Sequence, residues 1–236
     1  MEPLKRRPLL SAGPGRPLRA SWVSLFILAA CTGRPPVLVP PAGSVAAVEG
    51  FGSASLQGAE AVLKGKFAFH FRAPDLGRIE ALDPLGRTVF YLFLAGDRAS
   101  LALPGERAYV EETPETLMNR LLGFPLLPDD MVRLLCGTWD GPASGPSEGN
   151  AWRLEKDEQG RVFRGARDDL LFAVREFFKG AGVPREIEFS RPGTTGRMKV
   201  LALRFDPPGR PEAFDTSFLA KYSRKTWDEI EDILKK

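Results

Sequence analysis

The stretch Lys64 to Arg72 (KGKFAFHFR) alternates with strict period two, placing Phe67, Phe69 and Phe71 on one side and Lys66, His70 and Arg72 on the other. Only a β-strand sorts the two sets this way, because its successive side chains point to opposite faces. One apolar and one charged face on the same strand imply an antiparallel sheet buried on a single side. Short apolar runs bounded by turn residues predict further strands at 50–57, 77–83, 87–95, 97–103 and 106–111. After a loop at 140–150 (DGPASGPSEGN), strands resume at 151–157, 161–166, 169–178, 185–190 and 196–205. The run Thr88 to Ala95 (TVFYLFLA) is apolar on both faces, so it must meet apolar matter on each.

Two short helices interrupt this pattern, and both are marked at their ends. Thr113 is placed to cap a helix with Pro114 in its first turn and Gly123 after Leu117, Met118, Leu121 and Leu122. A second helix starts near Pro128, carries Asp129 and Asp130 where the dipole favours anions, and stops at Gly137. Helices this short are marginal alone, so they must lie on the sheet. Trp227, Ile230, Ile233 and Leu234 recur at helical spacing and predict an amphipathic helix near the C-terminus. The predicted fold is mainly β (α+β): one antiparallel sheet of about eleven strands curling around the helices.

The N-terminal segment is of a different kind. Lys5, Arg6, Arg7, Arg16 and Arg19 precede an apolar run from Ala20 to Ala30, the zones of a secretory signal. That run falls short of the roughly 20 apolar residues a permanent span requires. Leu28-Ala29-Ala30-Cys31 resembles the bacterial lipobox, so cleavage before Cys31 and lipid attachment to its thiol are expected. The predicted organisation is a lipoprotein signal at 1–30, a lipidated cysteine and Pro-rich tether at 31–48, a folded domain at 49–210 and a helical extension at 211–236. Residues 1–30 hold five basic side chains against Glu2, a net +4, and taking +4 from the chain's +3 leaves −1 for the mature protein. The basic character is thus discarded with the signal, and no nucleic-acid partner is expected. With Cys31 lipidated, Cys136 has no disulfide partner and reads as a small buried residue.

No set of catalytic groups emerges, and the protein is not expected to be an enzyme or to hold a metal. His70 is the only histidine and falls on the polar side of its strand, as a surface residue would. The carboxylate pairs Glu111/Glu112, Asp129/Asp130 and Asp168/Asp169 sit at element ends, where solvated charges are common. Sixteen phenylalanines, concentrated in alternating strands, together with Leu- and Met-bearing helices, suit either an apolar cavity or a closed core.

Asp83-Pro84-Leu85-Gly86, the block Thr113 to Gly137 (TPETLMNRLLGFPLLPDDMVRLLCG), Pro184 to Ser190 (PREIEFS) and Arg197 to Leu203 (RMKVLAL) together resemble the LolB family of outer-membrane lipoprotein receptors. The chain departs from that family's pattern in having Asp83 where the family has Asn, in lacking a long first helix before residue 49, and in its tail from 211 to 236.

The resemblance implies an unclosed antiparallel β-barrel with a short two-helix lid. It implies a receptor that accepts acylated lipoproteins from a LolA-like periplasmic carrier and inserts them into the outer membrane. The alternative is an envelope lipoprotein of the same fold that binds lipid or senses it without transfer. The implied partners are the carrier, the acyl chains of lipoproteins and membrane lipid. The protein would act as a monomer on the periplasmic face, anchored through Cys31, with that covalent lipid as its only non-protein group. Thr32, a residue other than Asp after the cysteine, goes with outer-membrane export in the enteric pattern. The expected cavity lining is Phe67, Phe69, Phe71, Val89, Tyr91 and Phe93, with Leu117, Leu121, Met131 and Leu135 beneath the lid. In the family, the leucine matching Leu85 protrudes and enters the membrane during delivery.

Overall fold

The computed structural model describes Leu38 and residues 43–57, 62–139 and 151–235, all within a compact unit spanning Val37–Lys236. Cys31, the signal segment and the 140–150 loop lie outside the described residues. Among the described residues, twelve strands form a single sheet: β1 (Ala47–Gln57), β2 (Val62–Arg72), β3 (Leu76–Leu82), β4 (Thr88–Ala95), β5 (Arg98–Leu103), β6 (Ala108–Glu112), β7 (Arg153–Lys156), β8 (Val162–Arg167), β9 (Leu170–Phe177), β10 (Pro184–Arg191), β11 (Thr194–Phe205) and β12 (Ser223–Arg224). Their spatial order is β12-β6-β5-β4-β3-β2-β1-β11-β10-β9-β8-β7, so the sheet is open between β12 and β7. All neighbours are antiparallel except β12, which runs parallel to β6.

Leu101 and Val110 on one limb and Phe172 and Leu170 on the other join one buried cluster with the helices α1 (Pro114–Leu122) and α2 (Pro128–Cys136). The sheet therefore wraps around the helix pair. Glycines make room for its rings: a Cβ on Gly50 would stand 2.6 Å from Cζ of Phe69, and one on Gly165 only 2.2 Å from Cε1 of Phe172. Each ring lies over the bare backbone of the neighbouring strand, which a side chain there would forbid.

The helix ends follow their sequence signals. The Thr113 hydroxyl accepts a hydrogen bond from Thr116 N–H, and α1 ends at Gly123 with φ 77°. The α2 start uses no hydroxyl cap, and the Asp130 carboxylate instead accepts from Leu127 N–H at 3.2 Å. Gly137 ends α2 with φ 70°, close enough to Gly182 that a Cβ would stand 2.5 Å from its carbonyl oxygen.

Beyond β11 the chain crosses the outer face of the sheet in two short 3₁₀ turns, Pro211–Phe214 and Ser217–Lys221. It then adds β12 to the edge of β6, through Ser223 N–H to Arg107 O and Lys225 N–H to Tyr109 O, both 2.8 Å. The final helix α3 (Trp227–Leu234) has a full capping box between Thr226 and Glu229 and sinks Ile230 into the common core. An edge that would otherwise offer free N–H and C=O groups is thereby covered.

This crossing corrects the expectation for His70. Phe214 lies over its ring with centroids 4.7 Å apart, and the imidazole is buried. Desolvation by that cover lowers its pKa below the ordinary 6.5.

Candidate functional site

The face turned to the helices is apolar from limb to limb. Phe67, Phe69 and Phe71 of β2 lie across from Ala81, Ile79 and Gly77 of β3, which in turn oppose Phe90, Leu92 and Leu94 of β4. Phe69, Phe71, Leu117, Met131 and Leu135 are buried together there, while Phe67 and Leu121 are half-buried at the margin of the same cluster.

Val89, Tyr91 and Phe93, expected beside them, face the opposite way. Pairing Ile79 with Leu92 puts the even-numbered residues of β4 on the helix side, so Phe90, Leu92 and Leu94 supply its contribution. On the outer side, Phe93 packs against Phe218 at 5.8 Å and Tyr91 against the same ring at 6.0 Å, with the Arg78 guanidinium 5.1 Å from the Tyr91 centroid. Val89 stays 44% exposed. The strand is apolar on both faces because the C-terminal segment covers the second one.

In this antiparallel order the turns 83–87, 104–107, 168–169 and 192–193 all fall at one end of the barrel, its rim. Two arginines fix the α1–α2 connection to that rim. From the end of β8, Arg167 pairs with Asp130 and donates to Pro125 O at 2.9 Å. From the end of β10, Arg191 donates to Gly123 O and reaches Asp169 at 3.1 Å. Asp130 was expected to be solvated, yet it is buried, because Arg167 and the indole N–H of Trp152, 2.8 Å away, enclose it. Asp168 and Asp169 are exposed as expected.

Also on the rim, Leu85 is 79% exposed. Its turn is tied by one carboxylate: Oδ1 of Asp83 accepts from Leu85 N–H at 2.8 Å and Arg87 N–H at 2.9 Å, while Oδ2 takes Arg87 Nε at 2.7 Å. These bonds hold the Asp83 carboxyl below the usual range, the Arg87 backbone N–H contributing most. Gly86 supplies the φ of 81° that closes the turn. The turn is thus cross-tied by its own side chain, with Leu85 and the neighbouring Pro84 exposed to solvent. Cys136, by contrast, is buried beneath α2, where desolvation pushes its thiol up to about 12. Among the described residues no group of His, Cys, Asp and Glu is placed to hold a metal, and no helix is long and apolar enough to cross a membrane.

An open, mainly antiparallel half-barrel, apolar within and roofed by two pinned helices, with Leu85 exposed at its rim, defines the class of fold as a helix-filled half-barrel. Residues 49–204 match the family model described as outer membrane lipoprotein LolB, and the chain belongs to that family. Comparison with curated proteins gave no match.

Solved structures similar to this chain include three of low identity. A LolA superfamily protein, NE2245 from Nitrosomonas europaea, is 8% identical over 75% of this chain and 93% of its own, with TM-score 0.49. A putative outer membrane lipoprotein-sorting protein domain from Vibrio parahaemolyticus is 10% identical over 74% and 91%, with TM-score 0.48. A DUF1329 family protein from Desulfovibrio piger is 14% identical over 75% and 92%, also with TM-score 0.48. The family match ends at 204, just before the segment that crosses the outer face.

Proposed function

We propose that this protein is a membrane-anchored receptor that accepts acylated lipoproteins from a LolA-like periplasmic carrier and inserts them into the outer membrane. The observation that carries this reading is Leu85, held out by the Asp83 clamp at the rim. Burying a leucine gains roughly 1.5–3 kcal/mol, enough to engage a bilayer briefly and too little to lock the protein there. The acyl cargo is another matter. At about 0.8 kcal/mol per methylene, several long chains cost tens of kcal/mol to expose to water.

A route between carrier and membrane must therefore be sheltered, and the helix-bearing face offers hydrocarbon throughout. Because that face is packed against α1 and α2, cargo enters by lifting the helices from the sheet. No covalent bond is made or broken in such a transfer, so the protein acts as a carrier and not as an enzyme. Lipids on Cys31 hold it at the periplasmic face of the outer membrane, and a single copy suffices for the cycle.

The test has two steps, loading from a carrier and delivery to liposomes. Leu85→Glu should load normally and fail to deliver, because the carboxylate must stay in water. Normal delivery by this variant would overturn the mechanism, and loss of loading would move Leu85 to the acceptance surface. Depletion in cells decides the wider role. Stalled lipoproteins in the periplasm support transfer, whereas normal localisation leaves only a lipid-binding or sensing role.

A further inference from the structure

The outer face of the other limb carries a groove of about 880 Å³ that the transfer reading does not use. Strand register lines up Ser55, Arg197, Glu188, Ala173, Arg164 and Glu155 across six neighbouring strands, from β1 through β11 to β7. In the next row toward the rim an exposed Leu171 stands between the smaller Ser190 and Ala166. Arg153, Arg164, Arg175 and Arg197 line the groove against only two carboxylates, Glu155 and Glu188. Glu188 is already bonded by two of them, Arg175 at 2.6 Å and Arg197 at 2.5 Å, and Arg197 also pairs with Glu186 at 3.3 Å, so Arg153 and Arg164 carry most of the excess charge. Arg164 reaches Glu155 only at 3.8 Å, with both side chains more than half exposed.

The positive character continues toward Leu85. Across β1, Ser55 pairs with Lys64 and Ser53 with Lys66, and Lys66 lies opposite Leu82, the last residue before the Leu85 turn. Both lysines are exposed. In a mature chain with net charge −1, such a strip reflects local placement and not overall charge.

We propose that this groove binds the phosphate-bearing headgroups of anionic membrane lipids, so that the receptor meets the bilayer at two points, the groove and Leu85. Guanidinium forks match phosphate oxygens in bidentate fashion. Ala173, between Glu188 and Arg164, leaves space for a headgroup, and continuity with the Leu85 turn favours a lipid surface over an acidic polypeptide. The proposal rests on the reading that the Leu85 rim faces the membrane.

The experiment uses the mature chain with Cys31→Ala, so that no anchor dominates, and measures co-sedimentation with phosphatidylcholine vesicles with and without phosphatidylglycerol. The parent should prefer the anionic vesicles, and added salt should erase the preference. Arg164→Ala with Arg197→Ala should lower anionic binding roughly five-fold per arginine removed, the worth of one basic side chain near such a surface. Both arginines are more than half exposed, so the fold should survive their loss. Glu155→Gln should strengthen binding.

Leu85→Glu separates the two contacts, since it should weaken binding to both vesicle types, whereas the arginine variant should weaken binding to the anionic vesicles alone. No preference in the parent, or unchanged anionic binding by the double arginine variant, would overturn the groove proposal even if Leu85→Glu is defective. An intact, arginine-dependent preference with unaffected Leu85→Glu would uphold the groove and refute the leucine contact. Arginine-dependent capture of polyglutamate without any vesicle preference would assign the groove to an acidic polypeptide and overturn the proposal.

Discussion

Arg167 grips Asp130 with both prongs of its guanidinium, Nη1 at 2.9 Å from Oδ1 and Nη2 at 2.8 Å from Oδ2, with only about a tenth of either side chain exposed. The Trp152 ring lies 4.4 Å from the guanidinium carbon, and the carboxylate also accepts from the Trp152 indole N–H and Leu127 N–H. Thirty-seven residues apart in sequence, the pair joins the first turn of α2 to the end of β8.

Removing one partner strands a buried charge, which ordinarily costs about 3–5 kcal/mol. Asp130→Ala should therefore lower the urea midpoint by that equivalent with the m-value unchanged. An apolar double replacement, Asp130→Leu with Arg167→Met, should recover only part of the loss, because Leu127 N–H and the Trp152 indole N–H remain without that acceptor. If Asp130→Ala costs under about 1 kcal/mol, the pair behaves as a solvated one.

His70 makes the C-terminal crossing sensitive to acid. Its Nε2 has no hydrogen-bond partner, and burial under Phe214 lowers its pKa despite the opposing pull of Glu49. Arg72, Arg210 and Arg78 act in the same direction as burial. Below the ordinary 6.5 the unfolded chain takes a proton that the folded chain refuses, so stability is complete above that pH and declines as pH falls beneath it. His70→Phe should flatten the curve of denaturation midpoint against pH just below 6.5. An unchanged slope in that variant would show that another group is responsible.

The Asp83 clamp predicts an asymmetry between two substitutions. Asp83→Asn keeps an oxygen to accept from Leu85 and Arg87 N–H and loses only the exposed ion pair with Arg87, so delivery to liposomes should be nearly unchanged. Asp83→Ala removes every side-chain bond of the turn and should slow delivery without lowering loading. Equal delivery by both variants would mean that the turn holds Leu85 without help from this side chain.

The strands and helices were legible because their signals are local: period-two alternation in KGKFAFHFR, Thr113 and Pro114 before a helix, Gly123 and Gly137 after one. What escaped was cover supplied from far along the chain. TVFYLFLA gives no alternation with which to choose a face, and the choice was made by pairing with Ile79 and by Phe218, more than a hundred residues later. His70 and Asp130 look solvated until Phe214 and Arg167 are placed against them. Leu85 was legible because a Pro-Leu-Gly turn leaves nothing nearby to bury it.

Cys31 lies outside the described residues, and its role is tested in cells. Radioactive palmitate should label the wild-type protein and not Cys31→Ala, which should appear as a soluble periplasmic species. A lone acyl chain binds membranes only marginally, but two or three make release negligible. Label persisting in Cys31→Ala would refute lipid attachment at that residue.

Whether hydrocarbon can enter the barrel is decided by comparing two positions that differ in burial. Phe69 is 4% exposed and stacks between Phe67 and Phe71 over Gly50, so a carboxylate there has neither water nor a partner. Phe69→Glu should abolish cooperative folding, since burying the charge or protonating it costs several kcal/mol. Leu121, half-buried near the C-terminal end of α1, can turn a glutamate toward solvent, so Leu121→Glu should fold with a small loss in melting temperature. That variant nevertheless sets a charge on the path that the proposed function gives to an acyl chain, between the helix and the sheet. Binding of an environment-sensitive fatty-acid probe should fall at least ten-fold in Leu121→Glu, about 1.4 kcal/mol, and should be unaffected by an exposed control such as Glu115→Gln. Undiminished probe binding by folded Leu121→Glu would place the entry route away from α1, toward α2 or the open edge between β12 and β7.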